Sequence, residues 1–220
     1  MNWKQCCVLS WILLTGHAVC ADTAFVIRSV DTDKRVVALT FDDGPTRYTD
    51  DILDILTLYN AKATFFLIGS QLKRYPNYVQ RIKVDGHSIG NHSYDHRHVM
   101  VQSEADLLKN IARSQLLFYD VLSMLPIYYR PPYGEITPAQ EAILKKHFSY
   151  LIRWGIDPKD WDRKRSKDDI VTHIVTSLKP GVIIVLHERK QTVKFLPELI
   201  LAIQQKGYQL VSLDYLTNNS

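Results

Sequence analysis

Short apolar runs recur along the chain and alternate with stretches whose apolar positions fall three and four residues apart. The runs at residues 36–41 (VVALTF), 63–68 (ATFFLI), 87–90, 127–129, 150–154, 182–186 and 208–211 read as seven strands. Between them the spacing turns helical. Residues 50–59 place Ile52, Ile55, Leu56 and Tyr59 on one face, and residues 77–84 form a helix closed by Gly86. Ser103, with Asp106 three residues on, caps a helix whose Leu107, Ile111 and Phe118 face inward. Thr137 and Pro138 open another helix as cap and first helical position. Further helices fill residues 168–178 and 194–205, the last ended by Gly207. Strand–helix alternation predicts an α/β fold on a mostly parallel sheet. Seven parallel strands in this length suit a smaller or incomplete (β/α) barrel better than a full eight-fold one, which takes about 250 residues. An open doubly wound sheet is the competing architecture. No glycine-rich phosphate loop follows any strand, which speaks against nucleotide use.

The N-terminus departs from this pattern. Lys4 precedes a short apolar run from Cys6 to Leu14, and small residues follow, with Val19 and Ala21 suitably placed for a cut before Asp22. This is the layout of a secretory signal peptide, residues 1–21, and it predicts export to the periplasm or cell exterior. The run is shorter than the roughly 20 apolar residues of a membrane span, so no stable span is expected after cleavage. Cys6, Cys7 and Cys20 all fall in this leader, so residues 22–220, read as one domain, hold no cysteine and can form neither disulfides nor a thiolate metal site. The chain carries a net charge of +4 and its basic residues are spread out, which gives no indication of nucleic-acid binding.

Five polar clusters each follow a strand. Thr40-Phe41-Asp42-Asp43-Gly44-Pro45 sets two adjacent carboxylates whose side chains must diverge, so one could bind a metal while the other reaches a water; Asp-Gly-Pro is equally turn chemistry. His92-Ser93-Tyr94-Asp95-His96 puts two imidazoles on one face if the backbone is helical, which suits a divalent metal, or simply leaves two surface histidines. Nearby, His98 reads as solvent-facing and His87 as structural. Arg130-Pro131-Pro132-Tyr133-Gly134 stiffens a loop that presents Arg130 and the backbone near Tyr133, or is a rigid surface turn. Asp157-Pro158-Lys159-Asp160-Trp161 offers a carboxylate and an aromatic face, or a capping Asp and a core Trp. Leu186-His187-Glu188 ends a buried strand where a catalytic acid would sit, although such a histidine is often structural. Between the last two, the basic run Arg163-Lys164-Arg165-Ser166-Lys167 reads as a solvated helix start capped by Ser166; a contact for an anionic polymer is the other reading. Polar groups at the C-terminal ends of five strands lie where parallel α/β folds build their sites.

The set TFDDGP, HSYDH, RPPYG, DPKDW and LH, in that order from about residue 36 to residue 213, resembles the polysaccharide deacetylase family, the NodB-homology domain of carbohydrate esterase family 4. The resemblance implies a distorted (β/α) barrel and a secreted, metal-dependent hydrolase that releases acetate from N-acetylglucosamine-containing polysaccharide: chitin-like, peptidoglycan or poly-N-acetylglucosamine. It implies that Asp43, His92 and His96 bind a divalent metal, usually zinc. Asp42 would be the general base, held by Arg130. His187 would be the general acid, oriented by Asp157. The backbone N–H of Tyr133 would hold the oxyanion, and Trp161 and Leu186 would line the acetyl pocket. Two histidines and a carboxylate also match the facial triad of non-haem iron oxygenases, but Asp42 and His187 serve hydrolysis. Other readings are an esterase or amidase acting on a different acyl substrate, and a non-catalytic glycan-binding protein.

Overall fold

The computed structural model describes residues 24–219, and the leader expected at residues 1–21 lies outside them. The elements run β1 (Val26–Ile27), β2 (Val36–Gly44), α1 (Thr49–Leu58), β3 (Thr64–Leu67), α2 (Pro76–Val84), β4 (Ser88–Asn91), α3 (Glu104–Leu122), β5 (Tyr128–Tyr129), α4 (Pro138–Leu144), β6 (Tyr150–Ile152), α5 (Lys167–Ser177), β7 (Ile183–His187), α6 (Lys190–Gln205), β8 (Gln209–Val211) and α7 (Leu213–Asn218). The sheet runs β1-β6-β5-β4-β3-β2-β7, with β8 pairing the first residues of β2, and every pairing is parallel. The edges β1 and β7 do not pair as strands. An isolated antiparallel bridge, Ser29–Val182, joins the segment after β1 to the residue just before β7, and a parallel one, Ile156–Ile184, joins the segment after β6 to β7. The architecture is the distorted, incomplete barrel that the alternation and the resemblance together predicted.

All seven expected strands are present. The eighth, β1, is two residues long and carries no periodicity to read. The cap signals hold: Ser103 accepts from the Asp106 N–H, Thr137 and Gln140 form a reciprocal capping box, and Ser166 accepts from the Asp169 N–H. Two helical features differ from expectation. Helix α6 starts at Lys190 rather than 194, and α7, capped by Ser212, was not foreseen.

Strand alternation decides what reaches the site. In β2, Val37, Leu39 and Phe41 pack with Ile52, Leu56, Leu196 and Ile200 from the surrounding helices. Val36 and Ala38 face the other way, packing with Phe66, Ile152 and Ile183 in the barrel interior. Because side chains alternate across a strand, Thr40 and Asp42 follow Val36 and Ala38 into the interior. The same rule turns His187 inward from Ile183, and the β2–β7 register sets Asp42 directly beside it. No helix among the described residues is long and apolar enough to cross a membrane.

Candidate active site

The strand ends surround a cavity of about 380 Å³ lined by Asp42, Asp43, His92, His96, Tyr133, Trp154, Asp157, Trp161, Val185, His187 and Arg189. Five of the non-glycine residues with positive φ are at or beside it: Asp43 (71°), Ser93 (68°), His96 (59°), Tyr133 (63°) and Lys159 (57°). Such conformations cost free energy and persist where surrounding structure imposes them, often at functional sites.

Asp42 and Asp43 diverge as adjacent strand residues must. The Asp42 carboxylate turns inward, where Arg130 donates to its Oδ1 at 2.6 Å. Arg130 is fully buried. It also donates to Thr40 Oγ1 at 2.7 Å and to the carbonyls of Ile152 and Arg153, and its guanidinium lies 4.0 Å from the Phe66 ring centroid. Removing one member of so buried a pair leaves an uncompensated charge, at about 3–5 kcal/mol. Burial lowers the guanidinium's pKa and Asp42 opposes that shift.

Asp43 meets two imidazoles. Its Oδ1 lies 3.0 Å from His96 Nε2 and 3.7 Å from His92 Nε2. The oxygen is buried yet makes no hydrogen bond among the described residues. His92 Nδ1 sits 2.8 Å from the Arg130 carbonyl. A carbonyl only accepts, so the ring hydrogen is on Nδ1 and the Nε2 lone pair faces Asp43. One atom from each of Asp43, His92 and His96 falls within a 4.8 Å cluster. A buried carboxylate oxygen without a donor, a lone pair aimed at it and a carbonyl holding the back of the ring fit a divalent cation. Burial opposes ionisation of Asp43, but His96, His92 and His187 outweigh it and hold the carboxyl well below the usual carboxylate range. Burial likewise pushes the His92 pKa down, and the two carboxylates do not offset it.

The two histidines do not meet through a helix, as their spacing suggested. His92 follows β4, and the chain then curls through Ser93 and His96, with Ser93 Oγ accepting from the His96 N–H at 3.0 Å. The rings end 5.0 Å apart, centroid to centroid. His98 is also not simply solvent-facing: it stacks on Tyr133 at 4.9 Å, and Tyr133 in turn packs edgewise on His96. His87 is buried and accepts from the Ala63 N–H, the structural role expected of it.

On the β7 side the structure corrects two assignments. Asp160, not Asp157, holds His187: its Oδ1 is 2.7 Å from His187 Nδ1, while its Oδ2 accepts from the His187 N–H at 2.8 Å and from Thr192 Oγ1 at 3.1 Å. Asp157 instead accepts from the Lys159 N–H at 2.8 Å, closing the turn that delivers Asp160. Leu186 does not line the cavity. It is one residue from His187, so the pleat sends it into the helix-side core, and Val185 takes the pocket position. Burial works against a charged His187, but Asp160, with Asp42 and Asp43 adding to it, more than offsets burial, so the ring titrates above the ordinary histidine value. Trp161 lines the pocket as expected, half exposed, and Trp154 joins it against Gly134, where a Cβ would come within 2.5 Å of the indole.

In the sequence Glu188 reads only as the neighbour of His187, and Trp154, Val185 and Arg189 carry no site role. Glu188 is 3 % exposed. Its Oε2 accepts from the Thr46 N–H, Thr46 Oγ1 and Thr49 Oγ1, tying β7 to the loop that carries Asp42 and Asp43. Burial pushes its carboxyl up to about 7.

The family profile described as polysaccharide deacetylase matches residues 29–149, a span that holds Asp42, Asp43, His92, His96, Arg130 and Tyr133. A peptidoglycan-N-acetylglucosamine deacetylase of Bacillus cereus is 34 % identical over 201 residues, covering 88 % of this chain and 93 % of its own. The peptidoglycan-N-acetylmuramic acid deacetylase PdaC of Bacillus subtilis is 35 % identical over 190 residues, 86 % of this chain and 40 % of its own. Among solved structures, the Bc1960 peptidoglycan N-acetylglucosamine deacetylase in complex with 4-naphthalen-1-yl-N-oxidanyl-benzamide superposes with a TM-score of 0.81 at 33 % identity, covering 87 % of this chain and 92 % of that one.

Proposed function

The chain belongs to the polysaccharide deacetylase family, and on that premise we propose that it is an exported, zinc-dependent hydrolase that removes N-acetyl groups from N-acetylglucosamine-containing polysaccharide and releases acetate. The observation that carries this reading is one cavity holding a cation site on one side and a buried Asp–His pair on the other. Deacetylation needs a nucleophile, a stabilised oxyanion and a proton for the departing amine, and the cavity supplies a group for each.

Asp43, His92 and His96 would hold the zinc. Bound there, the ion would lower the pKa of water towards about 7 and polarise the acetamide carbonyl. Asp42, fixed by Arg130, takes the proton of the attacking water. The Tyr133 backbone N–H, in the Pro131–Gly134 turn, would donate to the developing oxyanion. His187 passes its proton to the glucosamine nitrogen as the C–N bond breaks, leaving acetate and a free amine. Asp160 favours the charged form of His187 that this step needs. Trp161, Trp154 and Val185 would close around the acetyl methyl. The export part of the reading rests on the leader pattern in residues 1–21.

The test is acetate release from a chitin oligomer, peptidoglycan and poly-N-acetylglucosamine, each with zinc and with a chelator. Acetate from at least one, abolished by chelator, is expected. In Asp42→Asn, metal content should be retained while turnover falls by about two orders of magnitude or more. Near-normal turnover by that variant would sink the assignment.

A further inference from the structure

Helix α6, like α2, has no acidic residue in its first turn, and α6 alone of the two carries cations at its cap and first position. A helix N-terminus carries partial positive charge and favours acidic side chains in its first turn. Helices α1, α3 and α5 follow this, with Asp50 and Asp51, Glu104 and Asp106, and Asp168 and Asp169. Helix α6 has Arg189 at its cap, Lys190 at its first position, no acidic residue in the first turn and no side-chain cap. Local rules broken without compensation tend to mark function.

One of these cations is in the active site and the next in the chain opens a neighbouring hollow. Arg189 lines the catalytic cavity, 47 % of its side chain exposed, with Nη2 3.6 Å from Asp43 Oδ2. Its chain neighbour Lys190 opens a second hollow, lined by Arg165, Lys167, Lys190, Gln191 and Lys194. The basic run at Arg163–Lys167 is therefore folded against the start of α6, held there by Gln191 donating to the Arg165 carbonyl at 3.1 Å. Lys167 pairs loosely with Asp168 and Glu198. Among the described residues, Arg165, Lys190 and Lys194 form no ion pair, and the buried Arg165 Nε has no acceptor. Unpaired cations in a hollow beside the site that reads the acetamide are placed to meet charge carried elsewhere on the same strand.

We propose that Arg189, Lys190, Lys194, Arg165 and Lys167 form an anionic subsite on the rim of the active site, which binds carboxylates borne by the glycan strand and so favours a carboxylate-bearing glycan over a neutral one. The inference rests on the deacetylase reading only for the identity of the strand. The subsite itself binds charge and is measurable without turnover.

The experiment measures binding by the full chain carrying Asp42→Asn, with and without Lys190→Gln and Lys194→Gln. The ligands are soluble peptidoglycan strands with free carboxyls, the same strands with carboxyls amidated, and a neutral chitin oligomer, each at low and high salt. The expected result is about tenfold weaker binding of the charged strands on losing the two lysines, a loss that added salt reproduces in the parent. Amidated strands should bind both proteins alike, and so should the chitin oligomer, which also reports that the variant is folded. Equal binding of charged and amidated strands by the parent, or an equal loss on all three ligands, would overturn the subsite. A protein that binds charged strands as expected while the wild type frees acetate from no glycan would keep this subsite and overturn the deacetylase reading instead.

Discussion

Two imidazoles face the same cavity and are pushed in opposite directions. His92, after β4, and His187, at the end of β7, are both taken out of water, and burial alone would lower both pKa values. What differs is the group behind each Nδ1. His92 rests on the Arg130 carbonyl at 2.8 Å, which fixes the tautomer but carries no charge. His187 rests on the Asp160 carboxylate at 2.7 Å, which stabilises a ring cation. One ring is biased towards the neutral form, with its lone pair aimed at Asp43, and the other towards the protonated form; in the proposed reaction the first would hold the metal and the second would give its proton to the amine. The side chain is the same, and one acceptor behind it sets which chemistry it is fitted for.

Deleting each ring breaks the comparison most severely. His92→Ala should lose bound metal and fall to the activity seen with chelator, since the remaining carboxylate and His96 make only two ligands. His187→Ala should keep its metal and lose about 10²–10⁴-fold in kcat, the range for general acid loss. Metal content measured beside turnover separates them. Equal metal loss in both variants would contradict the division of roles.

Changing the acceptor behind the ring tests the cause itself. In Asp160→Asn the carboxylate that offsets burial is gone, so the His187 pKa falls. His187 donates only when protonated, so the alkaline limb of the kcat/KM–pH profile should move to lower pH. Activity near neutrality should drop about 10–100-fold, the usual cost of losing such a support. Asp157→Asn, at the cavity wall but bonded only to the Lys159 N–H, should leave the limb in place and change the rate by less than about threefold. A shift in the Asp157 variant and none in the Asp160 variant would restore the pairing expected from sequence.

That mistaken pairing shows where the sequence stops being legible. Asp42, Asp43, His92, His96, Arg130 and His187 could be read because each is anchored to a strand end, and strand ends are visible as apolar runs. Asp157 and Asp160 share one loop, and which of them reaches His187 depends on a turn at Lys159 with φ of 57° that no periodicity announces. Leu186 is a different kind of miss. Strand alternation from Asp42 and His187 already excluded it from the pocket, and Val185 could have been named in its place. Trp154 and Arg189 lie just beyond strand ends, where the pattern gives no direction. Glu188 stands beside His187 in the sequence with no role of its own, and only the fold of the Thr46–Thr49 turn shows it buried.

A third imidazole shows what burial does when no acceptor offsets it. His87 is 6 % exposed, its Nδ1 accepts from the Ala63 N–H at 3.2 Å, and its Nε2 has no partner among the described residues. Burial, with Lys62 and Arg81 adding to it and Asp85 opposing, pushes its pKa down to about 4 from an ordinary 6.5. The unfolded chain therefore takes up the proton first as pH falls. The stability this neutral ring contributes is complete above about 6.5 and drains away between there and about 4, in total about 3 kcal/mol. His87→Asn keeps an acceptor near the Nδ1 position and removes the titration. Denaturant unfolding at several pH values should show the wild type weakening more steeply than this variant across that window, with catalysis at neutral pH hardly changed. Parallel slopes would mean that His87 takes up its proton at the same pH in the folded and unfolded chain, and that burial without an opposing carboxylate does not govern its charge.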